Sequence, residues 1–333
     1  MNSTLRLTLA AYVLVSLLCG RGLADEWDTI VQTEEETVYT ATTPVFTGGF
    51  DIVFAKPVWE RNPVATVTES DGATFESIQT QEFDYDFQVA PRVWLTYQAN
   101  NEIGARVSYW QFDQDPTAYT VNPPANGFGR VAHPAFGGVD IGSTIPAETF
   151  SASSYLALHS VDLDITKSVR FGEWDLVTFA GVRFAQLDQG YSATLSNAAK
   201  VIAGRIDYSH QFKGFGPTIG LETRRPHSAG VSLFASARGT LLIGGADARL
   251  DAGEDLDLAN PFLTTSVDTR TEVIPVGDLR LGLDWTPMST VGAFQPFARL
   301  AFEGQIWGGA GNSTSEDGNL GFVGLSVGGG VAY

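Results

Sequence analysis

The sequence predicts an all-β protein, a transmembrane, antiparallel, up-and-down β-barrel of about ten strands, with twelve as the alternative count. Three observations carry that prediction. Apolar and polar residues alternate with period two, short and long connections alternate along the chain, and aromatic residues gather at the ends of the apolar faces. A sheet in lipid must close on itself, because an open edge leaves backbone groups unpaired in hydrocarbon, and its outward side chains must be apolar.

The chain opens MNSTLRLTLAAYVLVSLLCGRGLA, with Arg6 ahead of an apolar run from Leu7 to Leu18 and small residues, Gly22 and Ala24, ahead of Asp25. This is the pattern of a cleaved signal peptide over residues 1–24; the run is too short for a membrane-spanning helix. A lipid-anchored start at Cys19 is disfavoured because Leu18, not a small residue, precedes it. Cys19 is the sole cysteine, so the mature chain has no disulfide or thiolate chemistry. Losing Arg6 and Arg21 leaves 18 of the 20 basic residues against 38 acidic ones, a net charge of −20 that argues against nucleic acid as a partner. Residues 25–44 form a polar lead-in, and 45–333 form the barrel.

Ten strand-like stretches follow, the first at 45–56. In DYDFQVAPRVWLTYQ, Asp84 to Gln98, one parity carries Tyr85, Phe87, Val89, Val93, Leu95 and Tyr97, and the other Asp84, Asp86 and Arg92. Ile103, Val107 and Tyr109 oppose Glu102 and Arg106, and Tyr155, Val161, Leu163 and Ile165 oppose Asp162 and Asp164. Trp174, Leu176, Val182 and Phe184 oppose Asp175 and Arg183. The 205–222 stretch, ending at Glu222, changes parity around Lys213-Gly214, which predicts a β-bulge. Val231, Leu233 and Leu241 oppose Arg238; Leu279, Leu281 and Trp285 oppose Asp278, Arg280 and Asp284. Phe294, Leu300 and Phe302 oppose Arg299 and Glu303, and 319–333 supplies the last strand. His159 and Lys167 are exceptions on apolar faces.

Tight turns near 98–101, 171–173, 223–228 and 286–293 alternate with long connections at 57–82, 113–153, 188–204, 245–269 and 308–317. Outer-membrane barrels have short periplasmic turns and longer external loops, and an even strand number puts both ends on the periplasmic side. The alternative of twelve strands arises if 64–82 forms a further hairpin. A soluble β-sandwich also alternates, but it does not require aromatics at strand ends. Here Tyr97, Trp174, Trp285, Phe294 and Tyr333 fall at one end and Tyr85, Tyr109, Tyr155 and Phe184 at the other, forming two expected belts at headgroup depth.

Several motifs imitate chemistry. GLSVG, Gly324 to Gly328, spells the G-x-S-x-G of a nucleophile elbow, but no acid, histidine or helix follows Ser326. GFGPTIG, Gly214 to Gly220, lacks dinucleotide-loop spacing and reads as a strand with a slim inner face. His133, His159, His210 and His227 are scattered without metal-ligand spacing, and Asp247 to Leu258 reads as a solvated acidic loop rather than a calcium loop. No catalytic, cofactor or metal site is assigned.

The inward charges are the functional candidates: Arg92, Arg106, Arg183, Arg238, Arg280 and Arg299, with Asp162, Asp164, Asp175, Glu222, Asp278 and Glu303 prominent among the acids. Either they line a watery channel and set ion preference, or they pair into a network that fills a narrow, non-conducting barrel.

SYWQFD (Ser108 to Asp113), WDLVTFAGVRFAQLDQGYSATL (Trp174 to Leu195), FKGFGPTIGLETRRP (Phe212 to Pro226) and SLFASARGTLLIGG (Ser232 to Gly245) resemble the Legionella-type pore-forming major outer membrane proteins, a family with members in planctomycete-like bacteria. The resemblance implies an outer-membrane barrel that forms a pore, and it brings no catalytic residues. The Legionella members use cysteines and this mature chain has none, so disulfide-linked assembly does not carry over. Ser326, Gly328, Val331 and Tyr333 are similar to the carboxy-terminal signal that barrel-assembly machinery recognises, which makes that machinery an expected partner beside outer-membrane lipid.

The expectation is a monomeric or weakly homo-oligomeric outer-membrane pore for passive diffusion of ions or small solutes. Inward acids, counted with Asp84, Asp86, Glu102 and Asp284, outnumber arginines ten to six, which predicts a mild cation preference. Two other readings stay open: a closed barrel presenting its loops, above all 113–153, and an outer-membrane lipid hydrolase using His159 as base.

Overall fold

The computed structural model describes residues 45–116, 118–134, 136, 139–288, 291 and 293–333; the expected signal peptide and the lead-in 25–44 lie outside the described residues. In chain order the strands are β1 (Val45–Trp59), β2 (Pro63–Ser70), β3 (Glu76–Glu82), β4 (Gln88–Gln98), β5 (Ile103–Gln114), β6 (Tyr119–Val121), β7 (Arg130–Ala132) and β8 (Gly142–Ser143). They continue with β9 (Thr149–Phe171), β10 (Trp174–Ser196), β11 (Ile202–Pro226), β12 (Val231–Glu254), β13 (Phe262–Trp285), β14 (Gln295–Trp307) and β15 (Leu320–Ala332).

Ten of these pair antiparallel in the ring order β1, β4, β5, β9, β10, β11, β12, β13, β14, β15. The ring closes where β15 returns to β1, from Thr47↔Ala332 to Trp59↔Leu320. Closure removes both edges, as lipid demands. A hairpin does form within 63–82, but β2 and β3 join β7 and β8 in a separate four-stranded sheet, so the ring has ten strands and not twelve.

Strand length divides the ring. β1, β4, β5, β14 and β15 have 11 to 15 residues, close to the ~9–11 a tilted strand needs to cross hydrocarbon. β9 to β13 have 23 to 25 residues. They therefore continue about a dozen residues, ~40 Å along the strand, past the membrane section.

Along these long strands the side-chain pattern inverts at one line of paired residues, Ser160↔Ala185↔Gly214↔Gly244↔Glu272. On the tight-turn side of the line the outward residues are apolar and exposed, among them Leu163, Ile165, Phe184, Phe215, Ile219, Ile243 and Val273. The inward ones are polar, such as Asp162, Arg183 and Thr218. Beyond the line the outward residues are Ser153, Asp188, Ser192, Asp207, Asp247, Arg249 and Asp251, while Leu156, Leu158, Leu187, Phe212 and Leu250 are buried inside. The backbone geometry continues unchanged; the outer solvent changes from lipid to water.

That inversion corrects two expectations. The 205–222 stretch has no bulge at Lys213-Gly214: the pairing of β11 with β10 runs without slippage from Asp175↔Arg224 to Leu195↔Gly204, and its one irregularity lies at Leu195/Ser196. An apparent change of parity was a change of environment. Likewise, 188–204 and 245–269 are mainly strand, and the connections shrink to 197–201 and 255–261. The acidic stretch beginning at Asp247 is the outer face of β12, with Asp247 and Asp251 accepting hydrogen bonds from Thr269 (2.8 Å) and Thr265 (2.9 Å) on β13.

Two apolar layers fill the interior around and beyond the line. The first takes residues from every ring strand, including Val53, Ala90, Phe112, Leu158, Leu187, Phe212, Leu242, Ile274, Trp307 and Phe322. Rings meet across it, Phe112 from β5 on Phe322 from β15 at 5.0 Å. The second joins Val64, Ala65, Val131, Phe136 and Ile141 to Phe150, Tyr191, Ile206, Tyr208 and Leu250, so β2 and β7 are packed against the extended strands. Tyr191 donates to the Val64 carbonyl at 2.9 Å.

The border is testable. Leu163→Arg, on the lipid face, is expected to destabilise the refolded protein by about 2–4 kcal/mol. Ser153→Arg, outward but beyond the line, is expected to stay within about 0.5 kcal/mol of the parent. Urea unfolding in lipid vesicles measures both, and equal losses would remove the border.

Candidate functional site

On the tight-turn side of the first apolar layer the ring encloses a cavity of about 510 Å³ that reaches the barrel rim at Thr47, Gln98, Ser168, Thr286 and Ala332. Its walls are the inward parities of the membrane section, where alternation leaves mostly polar side chains, with aromatics such as Trp94 and Phe297 among them.

Charges from nine of the ten ring strands interlock there. Arg92 on β4 makes a two-pronged contact with Glu303 on β14, at 2.8 and 2.6 Å, and lies 3.6 Å from Asp51 on β1. Arg183 holds Asp162 at 2.6 and 3.1 Å and Asp278 at 2.8 Å. Arg238 meets Asp164 at 2.7 Å and Asp162 at 3.2 Å, and Arg106 meets Asp164 and Glu222 at 3.2 Å each. Arg224 contacts Glu222 at 2.5 Å and Asp284 at 2.9 Å, and Arg299 contacts Asp284 at 2.6 Å. Phe179 stacks beneath the guanidinium groups of Arg106 (4.4 Å) and Arg238 (4.6 Å); Arg299 lies 4.0 Å above Phe234. Gly220 makes this possible, because a Cβ there would collide with the Phe179 ring. GFGPTIG is thus the slim inner face expected, with the glycine serving an aromatic that carries two arginines.

The structure brings together eleven of the twelve residues expected to line the lumen. Asp175 stands apart at the tight-turn end, paired with Arg170 at 2.8 Å. Asp84 and Asp86 are exposed, Asp84 near Lys56, and Glu102 sits in a tight turn with φ of 63° and Lys167 3.5 Å away, so none of the three joins the interior. Asp51 and Arg224 were missed, although their parity in β1 and β11 points inward. The interior balance becomes seven arginines to seven acids, in place of six to ten.

Of the expected aromatic belts, Tyr97, Trp285, Phe294 and Tyr333 are exposed at the tight-turn end, and Trp174 is half-buried under Arg225 at 5.5 Å. Tyr155 and Phe184 are exposed toward the other end, and Tyr109 is half-buried. Tyr85 departs from the expectation: it is buried inside, 4.8 Å from Trp59, and its hydroxyl is 2.7 Å from the Ser154 hydroxyl. Residues 83–87 are irregular, so the parity of β4 does not extend to it.

Ser326 is buried and donates a long bond, 3.4 Å, to the Ala301 carbonyl, which leaves no nucleophile elbow. Gly328 leaves room for the Asp51 carboxylate, which a Cβ would strike. Val331 and Tyr333 face outward; Tyr333 exchanges backbone hydrogen bonds with Phe46 at 2.8 and 2.9 Å and packs on Phe294 at 5.3 Å. His159 lies on the outer face, its Nδ1 3.1 Å from the Tyr109 hydroxyl and its Nε2 4.0 Å from Asp113. His210 is buried between the apolar layers, 3.9 Å from Glu272; burial pushes its pKa down, favouring the neutral ring. His133 is bonded to backbone carbonyls, so among the described residues the histidines do not converge.

A closed ten-strand ring with an apolar girdle and polar lumen is the architecture of an outer-membrane barrel. The family model for the Legionella pneumophila major outer membrane protein precursor matches residues 41–296, well over half of the 333 residues. The chain belongs to the Legionella major outer membrane protein family. It is an outer-membrane β-barrel protein. Among solved structures, the outer membrane protease OmpT from Escherichia coli is similar at 11% identity, covering 88% of this chain and 97% of that one, with a TM-score of 0.42. A major outer membrane protein from Thermus thermophilus is similar at 9% identity, covering 88% and 100%, with a TM-score of 0.37. OprG from Pseudomonas aeruginosa follows at 10%, 86% and 94%, with a TM-score of 0.27. Similarities at this level say nothing about activity. Among curated proteins, none matches the sequence significantly.

Proposed function

We propose that this member of the Legionella major outer membrane protein family is a barrel closed to ions at rest, whose working surface is the folded cap formed by β2, β3, β7 and β8 with the extensions of β9 to β13. One observation carries the reading: the apolar layer takes a buried side chain from each of the ten ring strands, and Phe112, Leu158, Phe212, Leu242, Trp307 and Leu320 within it have no exposed surface. Ions shed hydration at great cost in such a layer. The cap faces outside the cell and the tight turns face the periplasm, a placement supported by the even strand number and the short turns at one end. The reading is non-catalytic and monomeric or weakly homo-oligomeric.

Planar-bilayer recording of refolded protein tests closure: no conductance steps are expected, and steady single-channel steps would falsify it. The pore for passive diffusion is the second reading, supported by the vestibule that leads to the layer from the rim; it requires the layer to part. The cation preference loses its support, since the interior acids no longer exceed the arginines.

The carboxy-terminal strand is proposed to engage barrel-assembly machinery. Deleting Tyr333 removes its ring contact with Phe294 and its backbone pair with Phe46. Outer-membrane yield, scored as heat-modifiable folded protein, is expected to drop several-fold; an undiminished yield overturns this role.

A further inference from the structure

The vestibule's charges are balanced in number but not in pairing. Each of its seven acids lies within 3.6 Å of an arginine nitrogen, so no carboxylate is left to hold a cation. Arg280 is different: among the described residues it is the vestibule arginine with no ion pair. The cause is visible in the register. Its cross-strand neighbour on β14 is Glu303, and both oxygens of that carboxylate are taken by Arg92 from β4. Arg280 is left 5.6 Å over the Phe234 ring, half-buried and open to the cavity.

Unused donors line the same space. The indole N–H groups of Trp94 and Trp110, the Gln98 amide nitrogen and Arg106 Nη2 are buried on the β4–β5 wall without hydrogen-bond partners. An indole or guanidinium nitrogen can only donate, so an acceptor must come from elsewhere. Of the unbonded oxygens nearby, those on Asp51 and Asp278 face Arg92 at 3.6 Å and Arg183 at 2.8 Å and are already charge-compensated, and the Thr166 hydroxyl is neutral and carries no charge to match Arg280.

We infer that the vestibule binds a small oxyanion, a solute bearing carboxylate or phosphate groups, with Arg280 as its charge partner and an unpartnered donor of the β4–β5 wall as a hydrogen-bond partner. A planar oxyanion suits the guanidinium fork, and a low-dielectric wall strengthens the contact. A cavity of about 510 Å³ falls within the ~300–1,000 Å³ of small-molecule sites. The inference does not depend on closure, because the cavity reaches the rim without crossing the apolar layer.

Calorimetric titration of refolded protein in detergent micelles with succinate, with inorganic phosphate and with tetraethylammonium chloride tests it. Saturable binding of succinate or phosphate is expected, and the tighter of the two assigns the oxyanion class; tetraethylammonium is expected not to bind. Arg280→Gln should weaken binding at least tenfold, while Arg249→Gln, on the outer face of β12, should leave it unchanged. Absence of oxyanion binding, equal binding by Arg280→Gln with a native circular dichroism spectrum, or binding of the cation alone overturns the site. Should Arg280→Gln fail to refold, the thermal midpoint of the unmodified protein carries the test: a rise with the oxyanions and none with tetraethylammonium supports the site, and no rise overturns it.

Discussion

Replacing Phe112 and Phe322 together by alanine is expected to turn a barrel proposed to pass no current into one that conducts. The two rings come from β5 and β15, which are not neighbours in the ring, and they meet edge to face at 5.0 Å across the lumen, with Trp110 5.4 Å from Phe322 beside them. Each is buried, so each substitution removes ring atoms from the middle of the barrier and not from its margin. Each is also expected to cost about 3–5 kcal/mol of stability as a large-to-small change. The comparison therefore pairs the variant's recording with a check of its folded, heat-modifiable form. A folded double variant that stays silent would place the barrier elsewhere, in the second layer around Tyr191 and Phe136. Conductance already present in the parent would instead favour the pore.

The second large effect concerns the ion network. Removing Glu303 alone, as Glu303→Ala, is expected to destabilise the protein by about 3–5 kcal/mol, because it leaves the buried Arg92 guanidinium without its main partner. Asp51, 3.6 Å from Arg92, remains and should hold the loss toward the lower end. Replacing both members, Arg92→Leu with Glu303→Leu, is expected to recover part of that stability, since a buried pair barely repays its own desolvation while Asp51 loses its arginine partner. Urea unfolding of the three forms separates the cases. If the double replacement is as unstable as the single one, the network's contribution comes from the whole set of linked charges and not from charge compensation within the pair.

How much of this was legible beforehand varies along the chain. The tight turns, the ring of ten and the inward arginines followed from period-two alternation, because a lipid-facing charge is so costly that every membrane-section strand must sort its residues. The same rule misled beyond Ser160, Ala185 and Gly214. There the outer face meets water and the inner face meets the apolar layers, so polar residues such as Asp188, Ser192 and Asp251 read as loop when they are strand. Tyr85 failed for a related reason, since an irregular approach to β4 turned it inward. Asp51 was readable from parity alone, whereas Arg224 fell in what read as a tight turn because β11 runs on to Pro226.

The sequence by itself determined that the chain is a closed antiparallel barrel in the outer membrane. That property is written locally, in alternation and in the spacing of turns, and each strand states it independently. What fills the lumen was decided only by the tertiary structure. Phe112, Phe212, Trp307 and Phe322 are far apart in the chain, and nothing local says that their rings converge in one plane. The same holds for Arg280, whose freedom from any carboxylate depends on Arg92, 188 positions away in a 333-residue chain, having claimed both oxygens of Glu303.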